Sequence, residues 1–301
     1  MDHNLLTGGL PARARAEPAA LATPMNRWPR DAFLLAAAFL LTLLFLAPAG
    51  GYVLQGEHVL DLMAGALGTS RSLRAGVQMR LTGADPDGPR ELRQTVSYGP
   101  AGRLHTEAWG EGYHRLHAVD GDRSLTVVNG RLQAQSRNPG DLVHEVLRHR
   151  SRGDLVRRLT VLGVDVTRSS LGRLEDRVCF VVGTAQPEDG TPQLWVDQET
   201  LRPLRLRLPP SSLAPQEGAL ECRYRDWQPL NGGAYPRRME VMVGGALCQE
   251  LRVERLEADV PMDAGLFDLE GLRARMVIAS PEALPHTVPP ETPGTQAPAA
   301  P

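Results

Sequence analysis

The feature that most constrains this chain is a change of apolar period at Leu73. Before it, Glu57 to Leu73 carries Val59, Leu60, Met63, Ala64, Leu67 and Leu73 mostly three and four positions apart, which describes an amphipathic helix with one buried stripe that ends near Gly68 and Thr69. After it, Leu73, Ala75, Val77, Met79 and Leu81 recur at every second position, with Arg74, Gln78 and Arg80 between them. A period of two places alternate side chains on opposite faces of a strand. The chain therefore opens with one helix and then commits to sheet.

The alternation continues through hairpin-length connections. Leu92, Val96 and Tyr98 oppose Arg93, Thr95 and Ser97, after a turn of Asp and Pro at 85–89. Gly99-Pro100-Ala101-Gly102 leads into Leu104, Thr106 and Ala108. His114–Val119 and Arg123–Val128 flank Asp120-Gly121-Asp122, and Asn129-Gly130 is the strongest hairpin signal in the chain. A break follows at Asn138-Pro139-Gly140-Asp141. Leu142, Val143, Val146 and Leu147 then suggest a helix capped by Asp141, and Asp154 reads as the cap of a second helix with Leu155, Val156 and Leu159. Strands resume at Val164–Leu171, Val178–Thr184, Gln193–Asp197 and Leu201–Leu208, where Leu204, Leu206 and Leu208 oppose Arg205 and Arg207. Three longer ones follow at Ala219–Trp227, Tyr235–Val243 and Leu247–Leu256. Val178-Cys179-Phe180-Val181-Val182 is apolar at both parities, as in a strand covered on both sides. The expectation is a mainly β protein with some α, about ten or eleven strands in an unclosed antiparallel half-barrel with a helical lid.

Upstream lies an uncharged run, Ala32 to Ala49, flanked by Arg27, Arg30 and Asp31 and ending in Ala47-Pro48-Ala49, with small residues where a signal peptidase cuts. Residues 1–49 read as a signal region whose true start is Met25, which places the protein in the periplasm. Extended to Leu54, the run approaches the roughly 20 residues of a membrane span, so an uncleaved inner-membrane anchor is the rival. Residues 50–279 form one domain, and residues 280–301, rich in Pro, Thr and Ala, read as a disordered tail.

The net charge of −2 argues against nucleic acid as a partner. Cys179, Cys222 and Cys248 allow one disulfide and leave an odd thiol, and none follows the apolar run closely enough for lipidation. No GxSxG, HExxH, Walker loop or EF-hand loop is present, and Gly110-Glu111-Gly112 lies in a hairpin meander rather than a nucleotide-binding unit. His114 and His117 point to opposite strand faces, His144 and His149 are five apart on the expected helix, and all four read as solvated surface residues rather than metal ligands. Asp120 and Asp122 are turn residues. The reading is non-enzymatic, with no catalytic residue, metal or cofactor.

The functional candidate is the apolar face itself. Val77, Met79, Leu81, Val96, Leu104, Leu125, Val127, Leu204 and Leu206 would line a hollow, with Leu60, Met63 and Leu67 as its lid. The bland alternative is that they fill an ordinary core. A hollow of this kind takes acyl chains at about 0.8 kcal/mol per buried methylene.

Several phrases resemble the LolA/LolB-like superfamily of periplasmic lipoprotein carriers. They are the leading helix, Leu73-Arg74-Ala75 at the first strand, and Leu194-Trp195-Val196-Asp197-Gln198-Glu199-Thr200-Leu201-Arg202-Pro203-Leu204 with its Asp-x-x-Thr turn. Tyr224-Arg225-Asp226-Trp227, Tyr235-Pro236-Arg237-Arg238-Met239-Glu240-Val241 and the closing Pro261-Met262-Asp263-Ala264-Gly265-Leu266-Phe267 complete the likeness over roughly residues 56 to 270. The resemblance implies a carrier of lipoprotein acyl chains or lipid, moving cargo to the outer membrane between inner- and outer-membrane donor and acceptor proteins. Related folds also serve as envelope regulatory modules that sense a lipid or protein partner. No lipid-attachment Cys is present, which departs from the membrane-anchored receptor type.

Overall fold

Thirteen strands join in one antiparallel sheet in a computed structural model that describes residues 53–82, 90–134, 138–210 and 218–279. The apolar run at 32–49, the turn at 85–89 and the tail at 280–301 lie outside the described residues. The chain runs α1 (Gly56–Leu67), β1 (Leu73–Leu81), β2 (Glu91–Tyr98), β3 (Leu104–Gly110), β4 (Tyr113–Asp120), β5 (Arg123–Val128) and β6 (Arg131–Leu132). A 3-10 segment, Pro139–His144, precedes α2 (Arg152–Val161), β7 (Ser169–Leu174), β8 (Arg177–Val182), β9 (Gln193–Asp197) and β10 (Pro203–Leu208). The last elements are β11 (Leu220–Leu230), β12 (Gly233–Val243), β13 (Ala246–Ala258) and α3 (Leu269–Ala279). The order β6-β5-β4-β3-β2-β1-β13-β12-β11-β10-β9-β8-β7 leaves the sheet unclosed, with β6 and β7 at its edges.

The strand count exceeds the expected ten or eleven, and three local readings need correction. In place of the helix expected at Leu142–Leu147 stands the 3-10 segment Pro139–His144, capped by Asn138, whose Oδ1 accepts from Gly140 N at 2.9 Å, and then a turn. Ser151, not Asp154, caps α2; its hydroxyl accepts from Asp154 N. The strand expected from Val164 begins only at Ser169, because Asp165 Oδ1 accepts from both Thr167 N and Thr167 Oγ1 and holds a turn there. The helix α3 has no counterpart in the sequence reading.

The helix α1 lies across the strands. It contacts both β8 and β12, four places apart in the sheet. Strands about 4.8 Å apart put those two about 19 Å from each other if flat. A 12-residue helix is about 18 Å long and reaches one with its start and the other with its end. Register shifts at Gly76/Val77, Val241/Met242 and Pro203/Arg205 supply the local bends. The inner face carries the main core, and the outer face is charged. There Glu221, Glu240 and Glu250 are buried and each is held by two or more arginines, among them Arg205, Arg223, Arg225, Arg238 and Arg252. Among the described residues no helix is long and apolar enough to cross a membrane.

Candidate ligand-binding face

The inner face is built from strand positions of one parity with α1 laid across them. Val59, Leu60, Met63, Ala64 and Leu67 form the buried stripe of α1, as the offsets require. The helix starts against the 164–168 turn, where a Cβ on Gly56 would strike the Val166 carbonyl. It ends at Gly68, φ +88°, packed backbone to backbone on Gly233. Only a residue without Cβ fits that crossing.

Leu60, Met63, Leu67, Val77, Met79, Val96, Leu104 and Leu206 join one core cluster, and Leu81 is half-buried at its margin. Leu125, Val127 and Leu204 are placed elsewhere. Leu125 and Val127 pair with Ala118 and Leu116 on the outer face, beneath Leu269 and Leu272 of α3. The positions of β4 and β5 that face inward are instead His117, Val119 and Thr126. Leu204 turns outward to Cys179, Val181 and Trp195, because the register shift beside Pro203 breaks the alternation that holds for Leu206 and Leu208. Tyr98, Tyr224, Tyr235, Met239 and Leu251 belong to the inner cluster without having been singled out. Tyr224 and Tyr235 lie in two of the phrases that carried the family resemblance.

The face is filled rather than hollow under α1: Val59, Leu60 and Met63 are wholly buried. The room that remains is about 130 Å³ at one end, bounded by the 3-10 segment, α2 and the ends of β4, β10 and β11. Leu142, Leu208 and Leu220 line its apolar side. Sites for small molecules span about 300–1,000 Å³, so this space does not hold a whole acyl chain as it stands.

The same end holds a buried polar network. Tyr98 Oη stands 2.8 Å from His144 Nδ1 and 3.1 Å from Tyr235 Oη. Burial lowers His144 to about 4 and His149 to about 4, and it pushes Tyr235 up to about 12. Burial also drives Glu145 upward, yet Arg148 and Arg158, both bonded to its Oε2, outweigh it and hold the carboxyl below its ordinary value. Arg115 grips Asp141 bidentately at 2.9 and 2.6 Å. Of the histidines expected at the surface, His117, His144 and His149 are thus buried; His117 Nδ1 lies 2.8 Å from Thr126 Oγ1, the 3-10 segment brings His144 onto Tyr98, and His149 packs against Gly102. The thiols Cys179, Cys222 and Cys248 are unpaired. The Asp-x-x-Thr turn forms as read, with Asp197 Oδ1 accepting from Thr200 N and Oγ1 at 2.7 and 2.8 Å.

No family model and no curated protein matches the chain. Among solved structures it is similar to an outer membrane lipoprotein-sorting protein domain from Vibrio parahaemolyticus, over 72% of this chain and 98% of that one, at 11% identity and a TM-score of 0.49. It is similar over 72% of its length to a DUF1329 family protein from Desulfovibrio piger, covering 97% of that chain at 13% identity and a TM-score of 0.48. A LolA superfamily protein from Nitrosomonas europaea is covered over 99% of its length, at 13% identity and a TM-score of 0.43.

Proposed function

We propose that this protein is a non-enzymatic periplasmic carrier that takes a lipoprotein acyl chain or a lipid against the inner face of its half-barrel, for transfer to the outer membrane. The observation that carries this reading is the cover of that face. Across the inner apolar surface lie one helix of 12 residues, attached through its stripe and without a side-chain N-cap, and beside it the 3-10 segment and α2. Burying the four large side chains of that stripe is worth roughly 6–12 kcal/mol, and burying about 14 methylenes of an acyl chain roughly 11 kcal/mol. Exchange of helix for cargo is therefore close to balanced, which is what reversible carriage needs. The residues that would meet the cargo once the face is uncovered are Leu60, Met63, Leu67, Val77, Met79, Leu81, Val96, Leu104 and Leu206.

A fatty acid bearing a diazirine near the middle of its chain tests this reading. After irradiation and digestion, labelled peptides are expected from α1 and from the inner positions of β1, β2 and β12. Labelling confined to the outer face, or none at saturating probe, overturns the reading.

A further inference from the structure

Arg150 is an enclosed cation without a counter-ion. It stands directly before Ser151, the cap of α2, and its Nη1 is buried with no hydrogen-bond partner among the described residues. No carboxylate pairs with it there either. The other arginines of this layer are all matched: Arg148 and Arg158 hold Glu145, Arg152 holds Glu57, and Arg115 of β4 holds Asp141. Burial pulls Arg150 below its ordinary pKa, and the groups that act against this are the hydroxyls of Tyr98 and Tyr235. Burial pushes Tyr235 up to about 12 and Tyr98 well above its ordinary value, so both stay neutral and neither balances the charge. A charge withdrawn from water and left unpaired works against folding.

The surroundings hold a second unused group. Tyr98 senses Tyr235, Arg150 and Tyr224 together, and the Tyr224 hydroxyl is buried without a partner among the described residues. These groups interrupt an inner face that is otherwise apolar along β1, β12 and β13. Their place is the end of α1, since Tyr235 follows two residues after Gly233, on which Gly68 packs.

We propose that Arg150 holds an anionic head of the cargo, a carboxylate or a phosphate, while the acyl chain lies along the inner face. The inference rests on the acyl-carrier reading and adds to it the class of head group. A guanidinium presents its donors as a planar fork that fits two oxygens of either anion. A neutral head leaves the guanidinium unpaired, and an ammonium head sets a second cation beside it. The anion supplies the partner that the empty protein lacks.

The test is displacement of a fluorescent fatty acid from the whole protein by dodecanoate, dodecyl phosphate, dodecanamide and dodecylammonium. The two anions should bind about tenfold or more tighter than the amide, with the ammonium weakest. Arg150→Gln should bring dodecanoate and dodecanamide to nearly equal affinity. The Tm of that variant should not fall, because the change removes a cation that no carboxylate balances. Acetate and inorganic phosphate should displace nothing at the same concentrations; displacement by either marks a site for a free anion and overturns the inference. Equal binding of acid and amide, or a gap that persists in Arg150→Gln, overturns it and leaves the carrier reading standing. Failure of every acyl compound to bind removes the carrier reading and this inference together. The comparison of head groups needs no altered protein, so a folding defect in Arg150→Gln leaves the test intact.

Discussion

The Tyr98 hydroxyl and Nδ1 of His144 lie 2.8 Å apart inside the protein and tie the 3-10 segment to the end of β2. With His144 neutral, one arrangement satisfies the set: Tyr98 donates to Nδ1 and accepts from Tyr235. Burial keeps the imidazole neutral, and the segment is therefore held most firmly when His144 carries no proton.

A pH dependence of stability follows. His144 and His149 each fall from 6.5 when unfolded to about 4 when folded, because burial penalises the charged ring. Below pH 6.5 the unfolded chain binds more protons than the native one, so stability is complete above that value and is lost as pH falls towards 4. Each group contributes on the order of 3 kcal/mol. Urea unfolding should show a marked drop in midpoint between pH 7.5 and pH 4.5, with His144→Gln showing a shallower drop. Equal midpoints at the two pH values would contradict the account.

Tyr98→Phe leaves Nδ1 of His144 and the Tyr235 hydroxyl without their shared partner in a buried site. The expected cost is about 1–3 kcal/mol, the penalty for stranding buried polar groups. The pH slope should survive, since its cause is burial rather than this bond. Urea titration of the variant at two pH values separates these effects.

Much of the fold was legible because its signals are local. The α1 stripe, the β1 alternation and the Asp197–Thr200 turn each need only neighbouring residues. The inner face was legible where one parity is apolar, as in β1, and ambiguous where both are. In β4 and β5, Leu116, Ala118, Leu125 and Val127 are apolar, but so is Val119 opposite them, and α3 decides which set faces outward. The polar network was hidden for a different reason. His144 finds Tyr98 and Arg148 finds the Gly102 carbonyl, each 46 residues away, so a polar stretch that reads as surface is drawn inside by partners no local pattern contains.

The three thiols should differ sharply in reactivity. Cys222 is wholly buried and burial raises its pKa; burial, followed by Asp197, pushes Cys179 up to about 11. Cys248 is half-buried near the β12–β13 turn. Ellman's reagent should titrate one thiol in the native protein and three in denaturant, since only an accessible thiolate attacks. Cys248→Ser should remove the native signal, and rapid native reaction of a second thiol would refute the placement.

The Gly68–Gly233 crossing gives a way to loosen α1 without touching its apolar stripe. A Cβ on Gly233 would lie within 2.5 Å of Gly68 Cα, inside any tolerable contact, and against the Leu67 carbonyl as well. The clash is with backbone, so the end of α1 must lift, at a cost of about 1–3 kcal/mol. If α1 is the cover over the acyl site, that strain is relieved when cargo displaces it. Binding that is limited by the open fraction then tightens as the open fraction grows, about tenfold for each 1.4 kcal/mol of relief. Gly233→Ala should therefore lower the Tm and raise affinity for a fluorescent acyl probe together. Gly190→Ala, where a Cβ meets open space, should change neither. A lower Tm with unchanged or weaker acyl binding would mean that α1 is a fixed part of the core.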